Sequence, residues 1–241
     1  MAGHSKWANI RHRKGTQDAK RGKIFTKIIK EITVSARISG GEIESNPRLR
    51  QAVANAKSNN MPNQNIERAI KKGTGELEGN TYEEFSYEGY GPGGVAIMID
   101  TITNNRNRTV ADIRHLLSKY GGNLGEKGSV SWLFVKKGEI IIEKNAYNDE
   151  SAFESAINHG ADDFIINDNF YGITTDQAIL MQVQEGLEDE GYKIYSSEIN
   201  MIPKSLKKLS GNSVQNALNL LKELDDHDDI THVYTNFDYD Y

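Results

Sequence analysis

Cysteine is absent from this chain of 241 residues, and proline occurs only four times. The first absence excludes disulfides, thiolate nucleophiles and thiolate metal sites. The four prolines read as punctuation: Pro47 at a helix start, Pro62 in an amide-rich interruption, Pro92 in a glycine turn and Pro203 at a hinge. No stretch approaches the roughly 18 uninterrupted apolar residues of a membrane span. Nor does an apolar run follow the basic N-terminus, as a signal peptide requires. An arginine-rich transit peptide is the other reading of that terminus, but it runs straight into a patterned helix. The expectation is a cytoplasmic protein with no membrane partner. Nucleophile-elbow, zinc-protease and Walker patterns are also missing, so the chain is expected to be no enzyme, with no cofactor and no small-molecule substrate.

Charge is present but unevenly shared. Residues 1–72 hold 16 of the 29 Lys and Arg and 5 of the 34 acids, a balance of +11, whereas the remainder carries −16. A basic module on an acidic body is drawn to polyanions while the body resists non-specific adhesion. The expected partner is therefore a nucleic acid. The alternative is a merely solvated basic face.

Length and a charged content of 26% indicate a globular chain of two or three domains. Residues 17–38 place Phe25, Ile28, Ile29, Ile32 and Ala36 on one helical side, with Lys20, Lys23, Lys27 and Lys30 opposite. Asn46-Pro47 starts a second helix, and a short third follows through Ile66, Ala69 and Ile70 to Gly73. The stretch before Gln17 lacks an apolar period and is expected to be a mobile arm. Beyond residue 80 the period alternates. Strands are expected around Phe85–Tyr87, Val95–Ile99 and Val130–Val135, with a helix capped by Thr109 between the last two. Residues 138–201 then read βαββαβ, a ferredoxin-like unit. A closing helix and strand are too few to stand alone and are assigned to the middle sheet. The fold class is thus α+β with three domains: a three-helix bundle (1–79), a discontinuous mixed domain (80–136 plus 204–241) and an inserted ferredoxin-like domain (137–203).

Candidate nucleic-acid contacts follow from residue chemistry. His4, Lys6, Trp7, Arg11, His12, Arg13, Lys14, Lys20, Arg21, Lys23, Lys27 and Lys30 combine phosphate-neutralising cations with flat rings on which unstacked bases can lie. Asn59, Asn60 and an exposed Met61 suit base edges and apolar surfaces, although asparagines also cap helices. Arg106 and Arg108 stand just before the expected helix N-terminus, a place that favours an anion. The loop between residues 39 and 46 is too long for a helix-turn-helix, which argues against operator reading. A metal-dependent hydrolase is a remote alternative, resting on Asp225, Asp226, His227, Asp228, Asp229 and His232, which have no recognised ligand spacing.

Three stretches, "MAGHSKWANIRHRKGTQDAKRGKIFTK", "NRNRTVADIRH" and "GGNLGEKGSVSWLF", resemble the YebC/PmpR family along essentially the whole chain. That resemblance implies a crab-like, three-domain protein with a role in gene expression. Bacterial members are commonly described as DNA-binding transcriptional regulators. Mitochondrial relatives activate translation, and bacterial ones have been linked to ribosomes stalled on proline-rich sequence. Resemblance and residues together lead to the expectation of a ribosome- or RNA-associated translation factor, with rRNA or tRNA as partner and DNA regulation as the alternative.

Overall fold

The apolar repeat of the first helix acquires two sets of neighbours in the computed structural model, which describes residues 21–144 and 147–239. Helix α1 (Arg21–Ser39) packs with α2 (Pro47–Ser58) and α3 (Asn63–Thr74). Ile28, Ile32 and Ala36 meet Leu49, Val53, Ala56, Ile66 and Ala69 in one cluster. Asn46 caps α2 by accepting from the Leu49 N–H at 3.1 Å, and its amide donates to the Ser35 and Gly40 carbonyls. One side chain thus sets both the start of α2 and its angle to α1. Gly73 marks the closest approach of α3 to α1. A Cβ there would lie 2.4 Å from the Thr33 carbonyl oxygen and 2.7 Å from the Ala36 Cβ.

The turn after α2 corrects the expectation for Met61. Asn60 adopts φ 56°, the Met61 N–H bonds the Ala56 carbonyl and the Asn60 N–H bonds that of Lys57. This is a Schellman ending, whose hydrophobic closure is Met61 itself, 4% exposed in the bundle core. The methionine is therefore a packing residue.

The second core is built on a sheet ordered β3-β1-β2-β9, from β1 (Glu83–Tyr90), β2 (Ala96–Thr103), β3 (Asn123–Leu124) and β9 (Ile230–Thr235). Strand β2 is buried on both faces. Ile97 and Ile99 point to the core shared by α4 (Arg106–Lys119) and α7 (Asn212–Asp225), while Ala96 and Met98 meet Val130 and Phe134. Helix α4 begins a turn earlier than expected. Its cap is Asn105, which accepts from the Arg108 N–H, and Thr109 is buried inside the helix.

The third core is the ferredoxin-like unit: β4 (Phe134–Glu143), α5 (Asp149–Asn158), β5 (Asp163–Ile166), β6 (Phe170–Thr175), α6 (Leu180–Asp189) and β7 (Ile194–Pro203). Its sheet order is β5-β6-β4-β7, entirely antiparallel. The strand expected at 130–135 is replaced over Ser131–Leu133 by a 3-10 turn, and its end runs on without a break into the first strand of the βαββαβ unit as β4, paired with β7 from Phe134↔Pro203 to Ile142↔Ile194. Gly138 does not break it, because the missing side chain makes room for Leu180, whose Cδ1 would be 2.9 Å from a Cβ. Pro203 ends the ladder. After it, β8 (Lys207–Leu209) and β10 (Phe237–Tyr239) form a small parallel pair, and α7 and β9 return to the middle sheet.

Gly73→Ala is expected to destabilise the protein by about 1–3 kcal/mol through overpacking against backbone. Gly22→Ala, in open space within α1, is expected to be neutral or stabilising by up to about 1 kcal/mol. Urea unfolding of the two variants checks this, and equal midpoints would contradict it.

Candidate nucleic-acid interface

Lys23, Lys27 and Lys30 recur one helical turn apart on α1, and the structure directs this stripe at another helix, with Lys23 exposed, Lys27 half-buried and Lys30 buried. The ammonium groups meet the carbonyls of Asp226 at 2.9 Å, Asp225 at 2.5 Å and Asp228 at 2.8 Å. Those carbonyls belong to the last turn of α7 and the loop beyond it, where acceptors lack helical partners and the helix dipole is negative. A lysine stripe that reads as a polyanion face therefore closes the C-terminus of another helix. Lys30 goes further. It is 6% exposed and pairs with Asp229, Nζ to Oδ1, at 2.6 Å.

Asp229 is the convergence point of the molecule. Its Oδ2 accepts from Arg108 at 2.7 Å, from Thr109 at 2.7 Å and from Thr103 at 3.1 Å. Burial pushes this carboxyl upward, but hydrogen bonds from Lys30, Arg108 and Thr109 outweigh burial and hold it well below the usual carboxylate range. The expectation that Arg108 awaits an external anion is thereby corrected, since the anion is internal. Arg106 lies in the first turn of α4 rather than before it, its guanidinium 4.9 Å from the Phe85 ring centre. A second link joins the same parts: Arg48 of α2 forks between Glu31 of α1 and Glu84 of β1.

The acidic segment offers no cation site. Asp229 faces two cations, the His227 Nε2 lies 3.3 Å from Asp112, and the His232 ring stacks on Tyr234. Among the described residues, no group of three or more His, Asp or Glu is placed to hold a metal. Glu88 provides the other buried carboxylate network. Burial raises it, yet the N–H groups of Gly128, Val130 and Ser131 bring it below its ordinary value and fasten the 125–131 loop to β1.

Four further cations at the surface of the bundle were not singled out by sequence reasoning. Lys57 ends α2, Arg68 and Lys71 lie on the outer side of α3, and Arg37 ends α1; all four are exposed. None of them forms a side-chain hydrogen bond or ion pair among the described residues. Lys57 and Arg68 stand with exposed Asn60, Asn63, Gln64 and Asn65 at a polar, cationic tip of the bundle, while Arg37 and Lys71 lie toward the other end of α3. Asn59 is partly withdrawn from it, donating to Asn55 at 2.8 Å. Helical periodicity could have found Arg68 and Lys71, which face away from Ile66 and Ala69. They were overshadowed by the denser N-terminal run. Arg21 opens α1, while His4, Lys6, Trp7, Arg11, His12, Arg13, Lys14 and Lys20, with the expected mobile arm, lie outside the described residues.

A helical bundle with a polar tip, locked to the first of two antiparallel sheets, defines the class, and comparison with known proteins places the chain within it. Residues 5–76 match the N-terminal domain of TACO1/YebC proteins and residues 82–237 match the TACO1/YebC second and third domain. The chain belongs to the TACO1/YebC family. It is 55% identical over 238 residues to the probable transcriptional regulatory protein GSU1074 of Geobacter sulfurreducens, covering 99% of this chain and 96% of that one. A probable transcriptional regulatory protein of Halothermothrix orenii is 52% identical over 241 residues, covering 99% and 95%. The crystal structure of the conserved hypothetical protein Aq1575 from Aquifex aeolicus superimposes with a TM-score of 0.86 at 44% identity, over 94% of this chain and 93% of that one.

Because Asp229 has a depressed folded-state value, its stabilisation is present above the unfolded carboxylate range near 4 and is lost as pH falls below it. Asp229→Asn is expected to cost about 3–5 kcal/mol at pH 7, since it leaves Lys30 buried and uncompensated. The cost should shrink as the pH drops from about 4 toward 2. Asp228→Asn, at an exposed position, should cost under about 0.5 kcal/mol. Denaturant titrations across pH measure both, and a pH-independent penalty at Asp229 would refute the assignment.

Proposed function

We propose that this protein is a non-enzymatic, nucleic-acid-binding regulator of gene expression, acting in the cytoplasm on ribosomal RNA or tRNA during difficult translation. The observation that carries the reading is the +11 against −16 division of charge, with the positive share in the helical bundle and the segment before it. Three lysines engaged by backbone carbonyls reduce the cations available to clamp a regular duplex. What remains is a tip of amides with scattered cations, chemistry that suits splayed bases and irregular backbones better than a continuous groove.

A second reading, DNA-binding transcriptional regulation, is favoured by one observation and by the relatives' names. Helices α2 and α3 are joined by a turn of only four residues, 59–62, and α3 exposes Gln64, Asn65 and Arg68 in its first two turns. That is closer to a helix-turn-helix than the 40–46 loop is, and it weakens the sequence-based argument against operator reading.

Competition at physiological salt between purified ribosomes and a promoter fragment separates the two. The RNA reading expects ribosomes to win, and Gln64→Ala with Asn65→Ala to weaken ribosome binding roughly tenfold while barely changing duplex affinity. A promoter fragment that outcompetes ribosomes, and loses several kcal/mol on scrambling, would establish the transcriptional reading instead.

A further inference from the structure

A groove of about 300 Å³ runs between α1, the end of α3 and the connector to β1. Thr33, Arg37, Lys72, Asn80, Thr81 and Tyr82 are among its lining residues. Its two cations differ from Lys23, Lys27 and Lys30. Arg37 is exposed and Lys72 half-buried, and among the described residues neither forms an ion pair or side-chain hydrogen bond. Lys72 is nevertheless positioned, because its aliphatic stem lies against Gly79, with Cδ 3.1 Å from where a Cβ would stand. Gly75 is left-handed at φ 84° and has nothing within 4 Å of a Cβ position, so the rim beside the cations is open to a backbone. Tyr82 contributes a half-buried ring, with the Lys30 ammonium 5.7 Å from its centre.

We propose that this groove is a subsite for one unstacked nucleotide of a single-stranded RNA segment, with the phosphate between Arg37 and Lys72 and the base against Tyr82. The inference rests on the nucleic-acid reading above and gives it a place. The groove volume lies at the small end of the range for ligand pockets, as fits one nucleotide and not a duplex. Two point charges beside an aromatic face form the usual pairing for single strands, and exposed Asn80 and Thr81 supply donors and acceptors for the sugar or base edge. Glu78 also lines the groove and opposes the phosphate, leaving one net positive charge.

Fluorescence anisotropy of the full chain with labelled U10 and T10 oligonucleotides, between 50 and 200 mM salt, tests the assignment. Arg37→Ala with Lys72→Ala is expected to flatten the slope of log K against log salt by about 0.7, the one phosphate that the pair neutralises. Lys136→Ala with Lys222→Ala, on exposed surface of β4 and α7, should leave it unchanged. Tyr82→Leu should weaken binding roughly tenfold without altering the slope, whereas Tyr82→Phe retains it. Glu78→Gln should tighten binding. U10 should bind more tightly than T10, and the reverse order overturns the RNA assignment. If the unmodified chain binds both strands and the Arg37/Lys72 pair behaves like the control pair, the groove is refuted while the nucleic-acid reading stands. If the unmodified chain binds neither strand nor ribosomes, both fall.

Discussion

One buried carboxylate, Asp229, holds the helical bundle to the middle sheet. It collects Lys30 from α1, Arg108 and Thr109 from α4, and Thr103 from the end of β2. A lone charge at such depth would be prohibitive, and four donors make it tolerable. The geometry couples distant parts of the chain, since Lys30 and Asp229 are 199 residues apart. Arg48, forking between Glu31 and Glu84, adds a more exposed link beside it. The placement of the bundle tip relative to the sheets therefore depends on polar contacts rather than on a shared apolar core.

This architecture divides the basic residues into two populations. One population works internally: Lys23, Lys27 and Lys30 hold the end of α7, and Arg108 completes the Asp229 site. The other is presented outward: Arg37, Lys57, Arg68, Lys71 and Lys72 surround the tip and groove of the bundle. Net charge attracts a polyanion through both populations, but only outward groups can form close phosphate contacts. Of these outward cations, Arg68, Lys71 and Lys72 lie on α3, away from the side of α1 on which the lysines are densest.

Much of the fold was legible because its signals are local. Asn46-Pro47 announces α2 through cap chemistry, and alternating patterns in β4 to β7 expose the βαββαβ order. The misreadings have a common cause, in that a local pattern has two tertiary outcomes. Lysines at positions 23, 27 and 30 look the same whether they face phosphates or the carbonyls of another helix. Thr109 resembles a cap, yet Asn105 takes that role one turn earlier and leaves the threonine hydroxyl for Asp229. Met61 sits among amides, yet the Schellman turn swings it into the core. Gly138, where the βαββαβ reading begins, lies inside β4, because a missing side chain does not reveal which neighbour fills its space. The candidate site was legible only as a charge imbalance, since the outward cations are distinguished by having no side-chain partner among the described residues.

A double-mutant cycle on Lys30→Met and Asp229→Asn, read by equilibrium unfolding at pH 7, tests most directly whether Lys30 serves the fold rather than a ligand. The account predicts strong non-additivity, with a coupling energy of about 1–3 kcal/mol and the double variant more stable than the sum of single losses implies. Additive losses, within about 0.3–0.5 kcal/mol, would contradict it and return the lysine stripe to the solvent.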